Sequence, residues 1–219
     1  MQLKREDHIV FFGDSITEWG RDKADTTSLG HGYANFVAGH LAYHYPQYAF
    51  TFSNRGIGGD KVANLNERIQ ECLNLKPDMV ILMVGINDVW HNVGRESFGS
   101  QTEQKRFEAE YRKLLTNLQA AGILRILVME PFVLPYPLDR QDWRVDLDAK
   151  IQIIRRLVME FGLEIVPLDG LMNERAVLHS AQYYTGDDGV HPTLAGAAFI
   201  ANEVVKRLTI SDVPLSKEV

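Results

Sequence analysis

Five short, unbroken apolar runs limit what this chain can fold into. They are His8–Gly13, Tyr48–Asn54, Met79–Val84, Arg125–Glu130 and Glu164–Leu168, with cores such as IVFF, VILMV and ILVM. A strand with one wet face alternates apolar and polar residues, whereas a continuous run is expected where helices cover both faces of a parallel sheet. Between the runs lie segments of helical periodicity, about Tyr33–His44, Val62–Leu73, Glu103–Ala121 and Val145–Phe161. A last one, Leu194–Leu208, follows Pro192, with Thr193 placed as its cap. Gly122 and Gly162 stand just past two of them, where a left-handed stop is easiest. Strand and helix in alternation imply right-handed crossovers and a three-layer α/β/α domain. With no repeat, low-complexity tract or linker, residues 1–219 are expected to form one domain.

Composition excludes several classes of function. A net charge of −6, with no run of Lys and Arg, argues against a nucleic-acid groove. Cys72 is the only cysteine, so neither an intrachain disulfide nor a cysteine-based zinc site is expected, and it reads as a small buried hydrophobe. His40 and His44 share a helix face, but no HExxH accompanies them, so no metal site is expected. The apolar run after MQLKRED is too short for a signal peptide, and no run approaches the roughly 18 apolar residues of a membrane helix. The expectation is a cytoplasmic protein that contacts neither membrane nor nucleic acid.

In such sheets chemistry gathers outside the carboxyl ends of the strands. Four unusual segments fall there: GDSIT after the first strand, NRGIGGD (54–60) after the second, GINDVW (85–90) after the third and TGDDGVHPT (185–193) before the last helix. A serine becomes a useful nucleophile when a base takes its proton and a third group orients that base. In DDGVHP, Asp188 and His191 are three residues apart in a glycine-containing turn, a spacing that can fold the carboxylate onto the imidazole. One segment then supplies base and orienter, and Ser15 supplies the nucleophile. The rival for Ser15 is a helix N-cap after a strand; for Asp188 it is Asp187, which needs a different turn. The Ser15 N–H, an N–H in GIGG and the Asn87 amide offer donors for an oxyanion. Asp14 and Asp88 read as structural hydrogen-bonding residues of their turns.

The four blocks, in this order from residue 13 to 192, resemble those of the SGNH (GDSL-type) hydrolases. The resemblance implies a flavodoxin-like fold with a five-stranded parallel sheet, Ser15 as nucleophile, His191 as base and Asp188 as acid. It implies Ser15, Gly59 and Asn87 as oxyanion-hole donors and no cofactor. Gly58 departs from the family, which often carries a serine there; the substitution loosens the loop that holds Gly59. Within the family the sequence is most similar to intracellular acetyl-esterases of acetylated sugars and xylan-derived oligosaccharides. That likeness implies a small-molecule ester as partner, self-association into a homo-oligomer, and Trp90 and Tyr33 as sugar contacts, flat aromatic faces suiting sugar rings. Each of Trp19, Tyr33, Trp90 and Trp143 has core packing as its rival role.

Other readings remain. A lysophospholipase or thioesterase of the same family needs a long acyl channel. GIGGD before a helix has a rival reading as a phosphate or flavin cradle, although neither GxGxxG nor GxxxxGK[ST] is present. A glycosidase lacks a distinctive acid pair. Segment 130–144, with three prolines, is expected to be a loop near the site or at a subunit contact.

Overall fold

A computed structural model describes residues 1–210, so the last nine residues of the domain expected over 1–219 lie outside the described residues. Seven strands form: β1 (Gln2–Leu3), β2 (His8–Gly13), β3 (Thr51–Gly56), β4 (Met79–Met83), β5 (Ile126–Met129), β6 (Glu164–Val166) and β7 (Thr209–Ile210). Strands β2 to β6 make one parallel sheet in the order β3-β2-β4-β5-β6, while β1 pairs separately with β7. Counted within the main sheet alone, this is the doubly wound order 2-1-3-4-5, flavodoxin-like as expected. The order reverses between β2 and β4, so the loops after β2, β3 and β4 meet at one rim.

The continuity of the apolar runs follows from this burial. Ile9, Phe11, Ile81 and Leu127 face one core, shared with helices α2 (Tyr33–His44), α8 (Leu168–Leu178) and α10 (Leu194–Val205). Their neighbours Val10, Phe12, Leu82 and Val128 face a second core, under α3 (Val62–Glu67), α6 (Gln101–Ala120) and α7 (Arg144–Glu160). Each strand keeps its two-residue period, but both of its faces must be apolar. Helices close the sheet on both sides, and the domain has three layers. Gly122 and Gly162 have φ of 88° and 64°, the left-handed stops expected of them.

Several elements differ from expectation. The second strand begins at Thr51, because Pro46–Tyr48 forms a 3₁₀ turn and Ala49 takes φ 51°; it runs on to Gly56, inside the NRGIGGD block. The helix expected over Val62–Leu73 breaks at Arg68 into α3 and α4 (Ile69–Leu73). Arg68 leaves helical geometry, and its guanidinium bonds the Asp60 carboxylate at 2.6 Å and the Gly13 carbonyl at 3.1 Å. Helices α8 and α9 (Ala181–Thr185) have no strong periodicity of their own and were not expected; Leu168 and Met172 anchor α8 in the core.

Candidate active site

Strand β2 ends at Gly13 and the chain turns at once into a four-residue helix, α1 (Ser15–Glu18). Asp14 caps it, its Oδ1 accepting the Ile16 N–H at 3.0 Å, which is the structural role expected of Asp14. Ser15 is the first helical residue, so its N–H is one of the unpaired donors of a helix start. Its Oγ lies 2.9 Å from His191 Nε2, although 176 residues separate the two in sequence. His191 Nδ1 in turn lies 2.6 Å from Asp188 Oδ2. Asp188 Oδ1 accepts the N–H groups of Val190 and His191, each at 2.8 Å. The DDGVHP turn therefore folds the carboxylate onto the imidazole, and it does so with Asp188, not Asp187.

Burial pushes the Asp188 carboxyl up, but the bonds from His191 and from the Val190 and His191 N–H groups outweigh it. The net effect holds Asp188 below the usual carboxylate range, so it stays ionised beside the imidazole. Two deeper acids behave oppositely. Burial raises Asp14 and Asp88 each to about 7, and Asp14 Oδ2 has no hydrogen-bond partner among the described residues. Burial also raises Asp60, against the opposing pull of Arg68.

The glycine loop after β3 reaches the serine. A Cβ on Gly58 would stand 3.8 Å from Ser15 Cβ. Gly59 has φ 83°, the left-handed region that favours glycine, and its N–H has no acceptor among the described residues. Asn87, buried in α5 (Ile86–Trp90), donates one amide hydrogen to the Asp60 carbonyl at 3.1 Å and keeps a second. Its neighbour Asp88 accepts the Val62 N–H at 3.1 Å. The Gly58 N–H bonds the Glu18 carboxylate, itself paired with Lys23 at 2.8 Å. An anion already occupies the loop, which disfavours the phosphate-cradle reading of GIGGD.

Aromatic rings enclose the histidine. Trp19 stacks on His191 with centroids 5.5 Å apart and planes 22° apart; Trp90 lies 5.9 Å away at 50°. A cleft of about 300 Å³ opens beside them, lined by Trp19, Thr185, Asp187, His191 and Pro192. Trp143 is buried, 5.2 Å from Trp90. Tyr33 is a correction. It is 1% exposed, its hydroxyl bonds Thr17 Oγ1 at 2.9 Å and its edge meets Phe11, so it supports the α1 turn from the core and touches no ligand space. Trp19, which the sequence leaves open between a sugar contact and core packing, stands at the site. It ends the α1 turn four residues after Ser15, its N–H donating to the Ser15 carbonyl at 3.0 Å. Among the described residues no group of three or more His, Cys, Asp or Glu side chains is arranged to hold a metal ion.

A doubly wound α/β domain with a serine, a histidine and an aspartate in hydrogen-bonded series at its switch point defines a hydrolase-like class of protein. The chain belongs to the GDSL-like lipase/acylhydrolase family, whose model matches residues 11–199. It is 28% identical to an acetylxylan esterase from Geobacillus stearothermophilus, over 95% of this chain and 96% of that one. A variant of Axe2, an acetyl xylan esterase from the same organism, superposes with a TM-score of 0.82 at 28% identity, covering 94% of this chain and 96% of that one. LAE5, an α/β hydrolase enzyme from the metagenome of Lake Arreo, superposes with a TM-score of 0.81 at 27% identity, covering 93% and 95%. The catalytic mutants of Axe2 that have been solved replace a serine, an aspartate and a histidine, each by alanine. Membership of the family places this chain among the GDSL-type hydrolases. Among the described residues no helix is long and apolar enough to cross a membrane.

Proposed function

We propose that the protein is a serine esterase that removes small acyl groups, acetyl foremost, from acetylated sugars and xylo-oligosaccharides. One observation carries the reading: Ser15 Oγ is 2.9 Å from His191 Nε2, and the series continues to Asp188 through a 2.6 Å contact. These separations suit proton transfer from hydroxyl to imidazole, with the carboxylate fixing the tautomer. His191 takes the Ser15 proton as Oγ attacks the ester carbonyl. The oxyanion is met by the N–H groups of Ser15 and Gly59 and the free Asn87 amide hydrogen. His191 then gives its proton to the departing alcohol. In the second half it takes a proton from water, which attacks the acyl-enzyme, and returns that proton to Ser15 Oγ as the acyl–oxygen bond breaks, releasing the acid and regenerating Ser15 and neutral His191. Every step uses residues of this chain, and no cofactor enters.

The acetyl and sugar part rests on the acetylxylan esterase relative and on the small size of the cleft. Trp19, which lines the cleft, offers a flat face suited to the apolar face of a sugar ring, and Trp90 adds a second indole beside His191. A cytoplasmic address and self-association belong to the same proposal. The first rests on one unpaired buried cysteine, Cys72, and the second on family likeness.

The test is hydrolysis of p-nitrophenyl acetate beside p-nitrophenyl palmitate, followed by acetylated xylo-oligosaccharides. Preference for acetate with turnover of the oligosaccharides is expected. Preference for palmitate would overturn the small-acyl reading in favour of a lysophospholipase or thioesterase.

A further inference from the structure

Segment 130–144 contributes no reacting group, yet it grips the turn that carries Asp188 and His191. The Leu134 N–H donates to the Gly189 carbonyl at 2.8 Å. Arg140, in the 3₁₀ turn Leu138–Trp143, donates from Nε to the Asp188 carbonyl, also at 2.8 Å. The carbonyls of Asp188 and Gly189 are thus both held by a stretch about fifty residues away. The approach is close enough to dictate the residue opposite. Gly189 has φ 75°, and a Cβ there would stand 2.3 Å from the Tyr136 carbonyl oxygen and 2.7 Å from that of Leu134.

Arg140 is itself held in place by an indole pair and an acid. Its guanidinium lies 4.3 Å from the Trp143 ring centre and 5.5 Å from that of Trp90, the ring that flanks His191. Its Nη1 pairs with Asp139 at 2.7 Å, and the side chain is only 13% exposed. With Nε and Nη1 engaged and two indole rings beside the guanidinium, it is built to hold protein, not to meet a ligand.

We propose that Arg140 is a positioning residue for ester hydrolysis: by fixing the Asp188 carbonyl against Trp90 and Trp143, it holds the 188–191 turn so that His191 Nε2 stays within reach of Ser15 Oγ. The inference rests on the serine-esterase reading. A turn held at the Gly189 carbonyl but free at the Asp188 carbonyl can rock, and a displacement of about 1 Å in a base can cost about 100-fold in rate. A planar Nε donor aimed along a carbonyl is specific to arginine; lysine supplies the charge without that geometry.

The experiment measures kcat and KM on p-nitrophenyl acetate for wild type, Arg140→Ala, Arg140→Lys and Ser15→Ala, with folding checked by circular dichroism. Arg140→Ala is expected to lose roughly 10- to 100-fold in kcat with KM within about twofold. Millimolar ethylguanidinium is expected to restore part of that kcat and to leave wild type unchanged. Arg140→Lys keeps the stem and charge, is expected to fold, and should also fall in kcat. Either folded variant with kcat within about twofold of wild type would overturn the inference, as would a loss seen mainly in KM or one that ethylguanidinium does not relieve. Undiminished turnover in Ser15→Ala would instead overturn the underlying serine mechanism, so the two failures are separable.

Discussion

Asp88 Oδ2 accepts the Val62 N–H at 3.1 Å, and this one bond ties the start of α3, just past the glycine loop, to the helix that carries Asn87. Burial raises the Asp88 carboxyl to about 7. In an unfolded chain the group ionises near about 4, so between roughly pH 4 and 7 the folded protein holds a proton that the unfolded chain has released. Its stabilising contribution is full below that range and is lost as the pH rises toward 7. Asp88→Asn keeps an acceptor for Val62 and cannot ionise. Its stability should therefore improve relative to wild type between pH 5 and pH 8. Urea unfolding of both proteins at the two pH values checks this; a difference that is constant, or that moves toward wild type, would refute it.

Asn87→Ala should lower kcat by about 10²–10³ with a smaller change in KM, the cost of one missing oxyanion donor. Asn87→Asp should lose more, because it sets a carboxylate where negative charge develops. Steady-state kinetics on p-nitrophenyl acetate decide it. Full kcat in Asn87→Ala would remove Asn87 from the oxyanion hole.

Gly59→Ala separates backbone geometry from space. A Cβ there meets nothing nearer than His91 Cε1 at 3.9 Å, so any loss must come from φ 83°. Holding an L-residue in that region costs about 1–2 kcal/mol, and a loop that relaxes turns its N–H away. A fall in kcat of roughly tenfold is expected, with folding retained. Wild-type kcat in a folded Gly59→Ala would show that the Gly59 N–H is not used.

Trp19→Ala removes the ring stacked on His191. Aromatic pairs contribute about 0.5–1.5 kcal/mol beyond burial, which corresponds to roughly 2- to 12-fold in rate if the stack holds the base in place. Trp19→Phe should recover most of it. Equal kinetics for Trp19→Ala and wild type would make the stack incidental.

These residues also show what is legible in a chain and what is not. The strand His8–Gly13 was readable to the residue because both its faces are buried, which leaves an unbroken apolar run. Asp188 and His191 were readable because their geometry is local, three residues within one turn. Tyr33 was misread, since an aromatic beside a polar turn can face solvent or core and only tertiary packing on Phe11 and Thr17 decides. Arg140 carried no sequence signal at all: its partners, Asp188 and Trp90, are brought to it by the sheet topology. The break at Arg68 likewise follows from reaching Asp60 and Gly13 across the domain, which overrides a helical pattern.

The central claim is that Ser15 takes the acyl group. Its most direct test is reaction with an alkyl fluorophosphonate, followed by peptide mapping by mass spectrometry, with ester turnover followed in parallel. One phosphonyl group per chain, on Ser15, with turnover lost in proportion and no labelling in Ser15→Ala, is the expected result. Labelling of another residue, or full turnover in a chain labelled at Ser15, would contradict the account.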